Sequence, residues 1–519
     1  MADQDKGPDN PSSDHQAMSA YWEMIECING GAETMRAAGE KYLPKFENET
    51  ANDYAHRRKA APFTNIYGDV SKNLASKPFS KEMKLKDGAA QSLVNLCEDI
   101  DGQGNNLHVF GATIFQYGLD KAVDWILVDY TKAPVTEKPR SIADEKAAGY
   151  RPYWVHISAE RMIAVYSDVI NGVETFIHAR IREDVTERSA FDEVTRCRVR
   201  VLDRAKLADG SYKPATYQVY EKQVNAGGKV TWVSIEGPAP ISIGVIPLVP
   251  FITGKRIGST WRVRPPLRDI AHLQVEEYQQ ESNLKSVMEL TCYPMLAGNG
   301  VNGSMPGDDG KAVAIRVPVG PRGVLFAPPD GNGQHGEWRF IEPSAESIKT
   351  LMEHLDATQK NMRDLGMQPM TTANLTVITT ANVSVKAHSA VQAWALGLKD
   401  AFEQAFTFTV AWLADGSKEP EVEIFTDFGV DMEAGTELDA LLKSQAQGIL
   451  SKKTVQQEFQ RRGVLSDNFS TDDEEEQLAE EEQGLSAEVA IDPVTGEVIE
   501  PSTRPKVLPN QPAVLPSNI

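Results

Sequence analysis

Two helices, each with one apolar stripe and one polar surface, are held apart by a Gly/Pro-rich insert over residues 293–343, and this arrangement limits what the chain can fold into. In the first helix Pro265-Pro266 opens the element, and Leu267, Ile270, Ala271, Tyr278, Leu284 and Met288 recur at three- and four-residue spacing until Tyr293-Pro294 closes it. The second has Ser344 as N-cap, a stripe of Ile348, Leu351, Met352, Leu355, Met362 and Leu365, and Gly366 as its stop. Antiparallel helices need only about 2–8 connecting residues, so the insert is expected to be a small β-containing element with a partner of its own. Lys311–Val317, Gly323–Ala327 and Glu337–Glu342, the last with Trp338, Phe340 and Ile341, are its expected strands. A charge-free, threonine-rich run, Met367–Thr380, then precedes a third helical pattern over Ala381–Leu413. At 1.5 Å per residue that helix is roughly 50 Å long and must cross more than one structural layer.

A chain of 519 residues exceeds one hydrophobic core, so more than one subdomain is expected. Hydrophobic residues at 41% and charged residues at 24% place it with soluble globular proteins. No stretch approaches the ~18 apolar residues of a membrane span, and MADQDKGPDNPSSDHQ has neither the basic nor the apolar region of a secretory signal, so a cytoplasm-like compartment is expected. The four cysteines, Cys27, Cys97, Cys197 and Cys292, lie far apart without a C-x-x-C pair, which favours buried thiols over metal or disulfide chemistry. A net charge of -21 opposes a protein that grips nucleic acid over its whole surface, because phosphate affinity comes from Lys and Arg.

In chain order, residues 1–17 are polar and expected to be disordered, and helices are expected at Tyr21–Cys27 and Ala32–Ala38. An amphipathic helix follows, whose Arg57 and Arg58 should be solvated or paired with acidic neighbours. Asp99, Asp101, Gln103 and Gly104 match four positions of a calcium loop, but Phe110 stands where the bidentate Glu is needed, so a capping loop between helices is expected instead. Trp125–Tyr130 should be a buried strand. From Arg161 to Thr253 six β-branched or aromatic runs, several joined by Asn171-Gly172, Asp209-Gly210 and Gly227-Gly228, predict an antiparallel meander that includes Ile246–Ile252. His178, Arg180 and Arg182 make one of its faces basic. Glu421–Phe428 reads as a strand, Thr436–Gly448 and Lys453–Arg462 as a short helical pair, and the acidic run Asp472–Glu482 with the Pro-containing end as a mobile tail.

Catalytic signatures are missing. Gly254-Lys255 and Gly310-Lys311 lack the rest of a phosphate loop, there is no G-x-S-x-G or H-E-x-x-H, and the nine histidines are scattered. No catalytic, metal or cofactor-binding residue is nominated.

The order of Tyr42-Leu43-Pro44-Lys45-Phe46, Ala61-Pro62-Phe63-x-Asn65, Asp99-Ile100-Asp101-Gly102-x-Gly104-x-x-Leu107, Trp125-Ile126-Leu127-Val128-Asp129 and Ile246-Pro247-Leu248-Val249-Pro250, followed by Pro265-Pro266-Leu267-x-Asp269-Ile270-Ala271, resembles the portal proteins of tailed bacteriophages, in particular a portal-like family of phages and prophages, over roughly residues 40–465. The resemblance implies an α+β portal fold and no enzymatic activity. After a disordered 1–17 it implies a wing at 18–264, stem helices at 265–292 and 344–366, and a clip at 293–343. A tunnel loop at 367–380, a long wing helix and strand at 381–430, a crown at 431–465 and an acidic mobile tail at 466–519 complete it.

What such a protein does is form a ring, of twelve subunits in the family, at one capsid vertex of the virion, after assembly in the host cytoplasm. Double-stranded DNA is packaged and ejected through it. Implied partners are further copies of the chain, DNA, terminase, a head–tail connector and the major capsid protein, with no membrane and no cofactor. Carried onto this sequence, Thr371, Thr372, Asn374, Thr376, Thr379 and Thr380 would line the tunnel loop. Lys285, Lys349 and Arg363 would face the stem channel, and Arg316, Arg322, Trp338 and Arg339 would meet the clip's partners. Two other readings compete: a DNA-processing or hydrolytic enzyme using acidic residues such as Asp99 and Asp101, and a monomeric head–tail adaptor without a channel.

Overall fold

The computed structural model describes residues 7–131, 144, 148–225, 227–292, 295–300, 304–306, 312–314, 336–341, 345–366, 377–426, 428, 434–461, 464–465 and 469–486. The chain divides into two units, Met1–Phe428 and Gly429–Ile519.

The first unit starts with helices. Ser12 accepts a hydrogen bond from the His15 backbone N–H and so caps α1, Ser13–Asn29. The polar start expected to be disordered to residue 17 is therefore helical from Ser13, because Met18, Trp22, Ile25 and Ile28 of the same helix face are buried. Next come α2 (Gly31–Ala38), α3 (Ala51–Ala60), α4 (Ile66–Ser76), the short strand β1 (Lys84–Leu85), α5 (Gln91–Cys97) and α6 (Leu107–Lys121). Asn106 caps α6 through the Val109 N–H.

Strand β2, Val123–Tyr130, follows α6 after Ala122 and is the centre of a three-stranded antiparallel sheet, flanked by β3 (Pro152–Ile157) and β9 (Leu248–Ile252). Its side chains alternate between two cores. Ile126 and Val128 enter a helical core with Phe115, Trp154, Phe251, Phe402 and Phe406, while Val123, Trp125 and Leu127 enter a second core with Ile157, Leu202, Trp261 and Val263.

The meander is a five-stranded antiparallel sheet in sequence order: β4 (Met162–Ile170), β5 (Val173–Ser189), β6 (Asp192–Asp203), β7 (Thr216–Val224) and β8 (Val230–Pro240). Asn171 and Gly172 have φ of 52° and 83°, the geometry an Asn-Gly hairpin turn requires. The run Ile246–Ile252 does not join this sheet as expected. Leu248, Val249 and Phe251 are buried on both faces, and the position beside β2 covers both. A small hairpin, β10 (Lys255–Arg256) with β11 (Val263–Arg264), leads into α7, Arg268–Cys292.

Beyond α7, β12 (Met295–Asn299) pairs with β15 (Glu337–Ile341), and β13 (Ser304–Pro306) with β14 (Ala312–Ala314). The expected strand at Gly323–Ala327 lies outside the described residues, as does the cap Ser344. Helix α8 covers Ala345–Leu365 and α9 covers Val377–Leu413. Helix α9 starts four residues before the expected Ala381. Its 37 residues span roughly 55 Å at 1.5 Å per residue. Val391, Ala395, Leu398, Phe402, Ala405 and Phe406 are buried, and Trp154 meets Phe402 and Phe406 edge-on at 5.1 and 4.8 Å between ring centroids. The indole N–H of Trp154 donates to Thr409 Oγ1 at 2.9 Å. Strand β16 is only Val422–Glu423, paired with β1, where a strand to Phe428 was expected.

In the second unit α10 (Ala434–Ala446) and α11 (Lys452–Arg461) form the expected pair. Gly448, at φ 73°, turns the chain between them, and Ser451 accepts from the Thr454 N–H to cap α11. The acidic run, expected in a mobile tail from residue 466, lies instead in α12, Thr471–Ser486. Asp472, Asp473 and Glu474 occupy its first turn, where negative charge favours the helix, and Asp472 pairs with Lys453 of α11 at 2.8 Å.

The β3–α9 aromatic contact gives a direct test. Truncating Phe402→Ala, fully buried against Trp154 and Phe110, should cost about 3–5 kcal/mol in urea unfolding, with little change in the cooperativity of the transition.

Candidate functional site: the paired helices and their strand insert

Helices α7 and α8 pack against each other over the far half of α8, where Thr358 and Met362 are buried. The inner face of α7 is not purely apolar. Gln274, Glu277 and Ser282 are buried at positions that continue the stripe begun by Leu267, Ile270 and Ala271. Each buried amide or carboxyl must therefore find partners.

Gln274 Oε1 accepts from the backbone N–H groups of Ile66 and Tyr67, both at 2.9 Å, and so satisfies donors left open at the start of α4. Its Nε2 donates to the Thr64 carbonyl and to Glu277 Oε2. From α8, Gln359 Nε2 donates to Glu277 Oε1 at 2.9 Å. One carboxyl thus ties α7 to α8, and one amide ties α7 to α4. Burial, reinforced by the Glu281 carboxylate one turn along, pushes the Glu277 carboxyl up to about 8.

The segment before α4 wraps the same helix. Asn65 caps α4 through the Gly68 N–H and donates to the Ile28 carbonyl, Phe63 meets Tyr278 edge-on at 5.7 Å, and Thr64 donates to Glu281. Gln279 donates to the Tyr42 carbonyl. Beneath it Arg57, 6% exposed, holds Glu49 through two bonds of 2.8 Å, donates to the Pro44 carbonyl and lies 4.1 Å over the Phe46 ring. The motifs Tyr42–Phe46 and Ala61–Asn65 are therefore parts of one clamp around α7. Likewise the Asp99–Leu107 segment is a closed loop. Asp101 accepts from the Gln103 and Asn105 N–H groups, and Asp99 accepts from Gly104 and pairs with Arg151 at 2.6 Å.

The nominated residues fall in different settings. Lys285 donates to the Ala60 carbonyl at 2.8 Å, and thereby joins the clamp. Lys349 is exposed and 3.7 Å from Glu353, one turn along, while Arg363 is half-buried near the end of α8. Trp338 is half-buried on β15, opposite Gly298 of β12, and Arg339 is exposed and 3.4 Å from Glu337. Arg316 and Arg322 lie outside the described residues, as do Thr371, Thr372, Asn374 and Thr376. Thr379 and Thr380 belong to the first turn of α9. The Gln274–Glu277–Gln359 network was not foreseen. Its signal was present in the sequence as polar residues at stripe positions, Gln274, Glu277, Glu281 and Ser282 continuing the three-to-four spacing of Leu267 and Ile270.

Among the described residues of the first half of α8, Leu351 and Met352 are exposed, as are Leu365 at its end and Met288 on α7. The site is thus a pair of helices locked at one end by buried polar bonds and bare along the part that approaches the strand insert.

Residues 266–413, which include both helices, the insert and α9, match a family model described as Domain of unknown function (DUF4055). No curated protein matches the chain. Among solved structures, the chain is similar to one in "Virion of native gene transfer agent (GTA) particle", with 13% identity, TM-score 0.39 and coverage of 81% of this chain and 96% of that one. It is similar to one in "Neck of empty GTA particle computed with C6 symmetry" at 12% identity and TM-score 0.40, covering 82% and 96%. A third, in "Neck of native GTA particle computed with C12 symmetry", has 12% identity and TM-score 0.40, covering 82% and 97%.

The raised carboxyl has a defined pH signature. A group whose folded value lies above its unfolded value adds stability at low pH and loses it as pH rises from the ordinary glutamate range through about 8. Thermal melts should therefore fall over that interval, and Glu277→Gln, which has no proton to lose, should flatten the slope whatever its effect on the absolute melting temperature.

Proposed function

We propose that this chain is the subunit of a portal-type ring in a phage-like particle, standing at one capsid vertex and giving double-stranded DNA a channel for packaging and ejection. The observation that carries the reading is the exposed apolar pair Leu351 and Met352 in the first half of α8, on a helix locked to α7 at its other end. A helix with that much uncovered apolar surface needs a neighbour, and a circle of identical copies covers the stripe in every copy at once.

In this reading α7 and α8 are the stem, residues 293–343 the clip that meets terminase and then the head–tail connector, and residues 367–376 the loop that touches DNA. The wing comprises the N-terminal helices, both sheets and α9, and α10 with α11 is the crown. The loop's Thr371, Thr372, Asn374 and Thr376 are uncharged, so contact with the duplex there brings no counterion release and no strong hold. Catalysis is left to a separate motor.

Negative-stain electron microscopy of the purified full chain should show rings with a central hole, and compact monomers at micromolar concentration would end the proposal. Met352→Glu, at an exposed position, should leave the monomer's melting temperature nearly unchanged and abolish rings. Removing residues 367–376 should leave rings intact but yield particles without DNA, measured by nuclease-protected DNA per particle.

A further inference from the structure

The five-stranded sheet carries an arm. Strands β5 and β6 pair from His178–Asp203 out to Ser189–Asp192, whereas β7 joins β6 only from Arg198 inward, so residues 184–197 form a two-stranded extension. A lone two-stranded ribbon is marginal in water, yet this one is braced. Arg196 and Arg198 both hold Glu187, Arg182 holds Asp184, and the Thr186 and Thr195 hydroxyls bond at 3.1 Å. At its tip Ala190 takes φ 53°, uncommon for a residue with a Cβ, and Phe191 is 105% exposed. A rigid arm ending in a bare aromatic ring has the form of an interface anchor.

The same unit carries a matching hollow. A cavity of about 180 Å³ opens between the two sheets and the end of α9, lined by Leu127, Tyr130, Leu202, Tyr217, Ile241 and Trp412. An apolar cavity of roughly 150 Å³ is enough to hold benzene. Tyr130 and Trp412 stack at 5.3 Å and form one wall, and the Asp129–Arg200 ion pair lies at its edge. The tip cannot reach its own cavity: Phe191 precedes β6 and Leu202 lies near the far end of that strand, roughly 35 Å away at 3.3 Å per residue.

We propose that Phe191 of one copy fills the Leu202–Tyr217–Trp412 cavity of the next. Knob and hole lie on different parts of the molecule, so the contact is heterologous and propagates from copy to copy until it closes. It deepens the ring reading and depends on it only for closure.

The test uses the full chain with a photoreactive benzoyl-phenylalanine in place of Phe191. Irradiation should give covalent dimers, with the adduct on peptides containing Tyr130, Tyr217 or Trp412. Phe191→Asp, and Ser242→Trp at the exposed mouth of the cavity, should each raise the concentration needed for assembly by at least about tenfold. Neither residue is buried, so melting temperatures should stay put. Mixed together, the two variants should form one-to-one dimers and nothing larger, because one retains only the hole and the other only the knob. Rings without an adduct in the cavity would overturn this contact and leave the ring reading standing. Cavity adducts without closed rings would support the contact and sink the ring. Monomers without adducts would remove both.

Discussion

A strand covered on both faces organises the first unit. From Val123 to Val128, strand β2 exposes no side chain: Val123, Trp125 and Leu127 fill one core and Ile126 and Val128 fill the other. Both of its edges are occupied, by β3 and β9. The consequence is geometric. Whatever packs on one face of β2 is fixed relative to whatever packs on the other, because a one-residue slip would exchange the two sets of side chains. The helical layer of α4, α6 and α9 and the five-stranded sheet therefore behave as parts of one body, with a buried aromatic cluster on the helical side and Trp125, Phe176 and Trp261 on the other.

Onto this body α7 is attached by polar bonds as much as by apolar contact. Gln274 completes the start of α4, Glu277 joins α8, and the segment from Tyr42 to Asn65 closes around them. Apolar packing alone would tolerate sliding of one helix along another, whereas a buried amide that must meet two backbone N–H groups and a carbonyl fixes the register. The cost of such a network is a carboxyl whose ionisation is opposed by burial and by Glu281.

The sequence was legible where period and burial agree. The strand pattern from Met162 to Ile235, the Trp125–Tyr130 strand and the start of the α7 stripe, Leu267, Ile270 and Ala271, follow from side-chain spacing, because a face that alternates every two residues or every three to four has one way to be buried. Errors fell where spacing carries no long-range information. Ile246–Ile252 looks like one more meander strand, and only its burial on both faces assigns it to β2. The charge of the acidic block tells that it is solvated, as most of its side chains are, and not that Asp472, Asp473 and Glu474 stand at a helix N-terminus that favours them. Within the candidate site, nothing in the sequence tells that the Ala60 carbonyl lies within 2.8 Å of the Lys285 ammonium. The motif Ala61–Asn65 announced itself as a pattern without a role, since its partners on α7 come more than two hundred residues later.

Charge completes the argument about what this body can hold. The chain carries 74 acidic against 53 basic residues, and many of the basic ones are already committed. Arg57 is bound to Glu49, Arg200 to Asp129 and Glu183, Arg196 and Arg198 to Glu187 and Glu221, Lys121 to Glu26 and Glu160, and Lys285 to a backbone carbonyl. Affinity for a polyanion requires cations free to displace its counterions. A surface whose cations are committed to internal structure offers a polyanion few contacts that displace its counterions, so an acidic chain of this kind holds nucleic acid weakly.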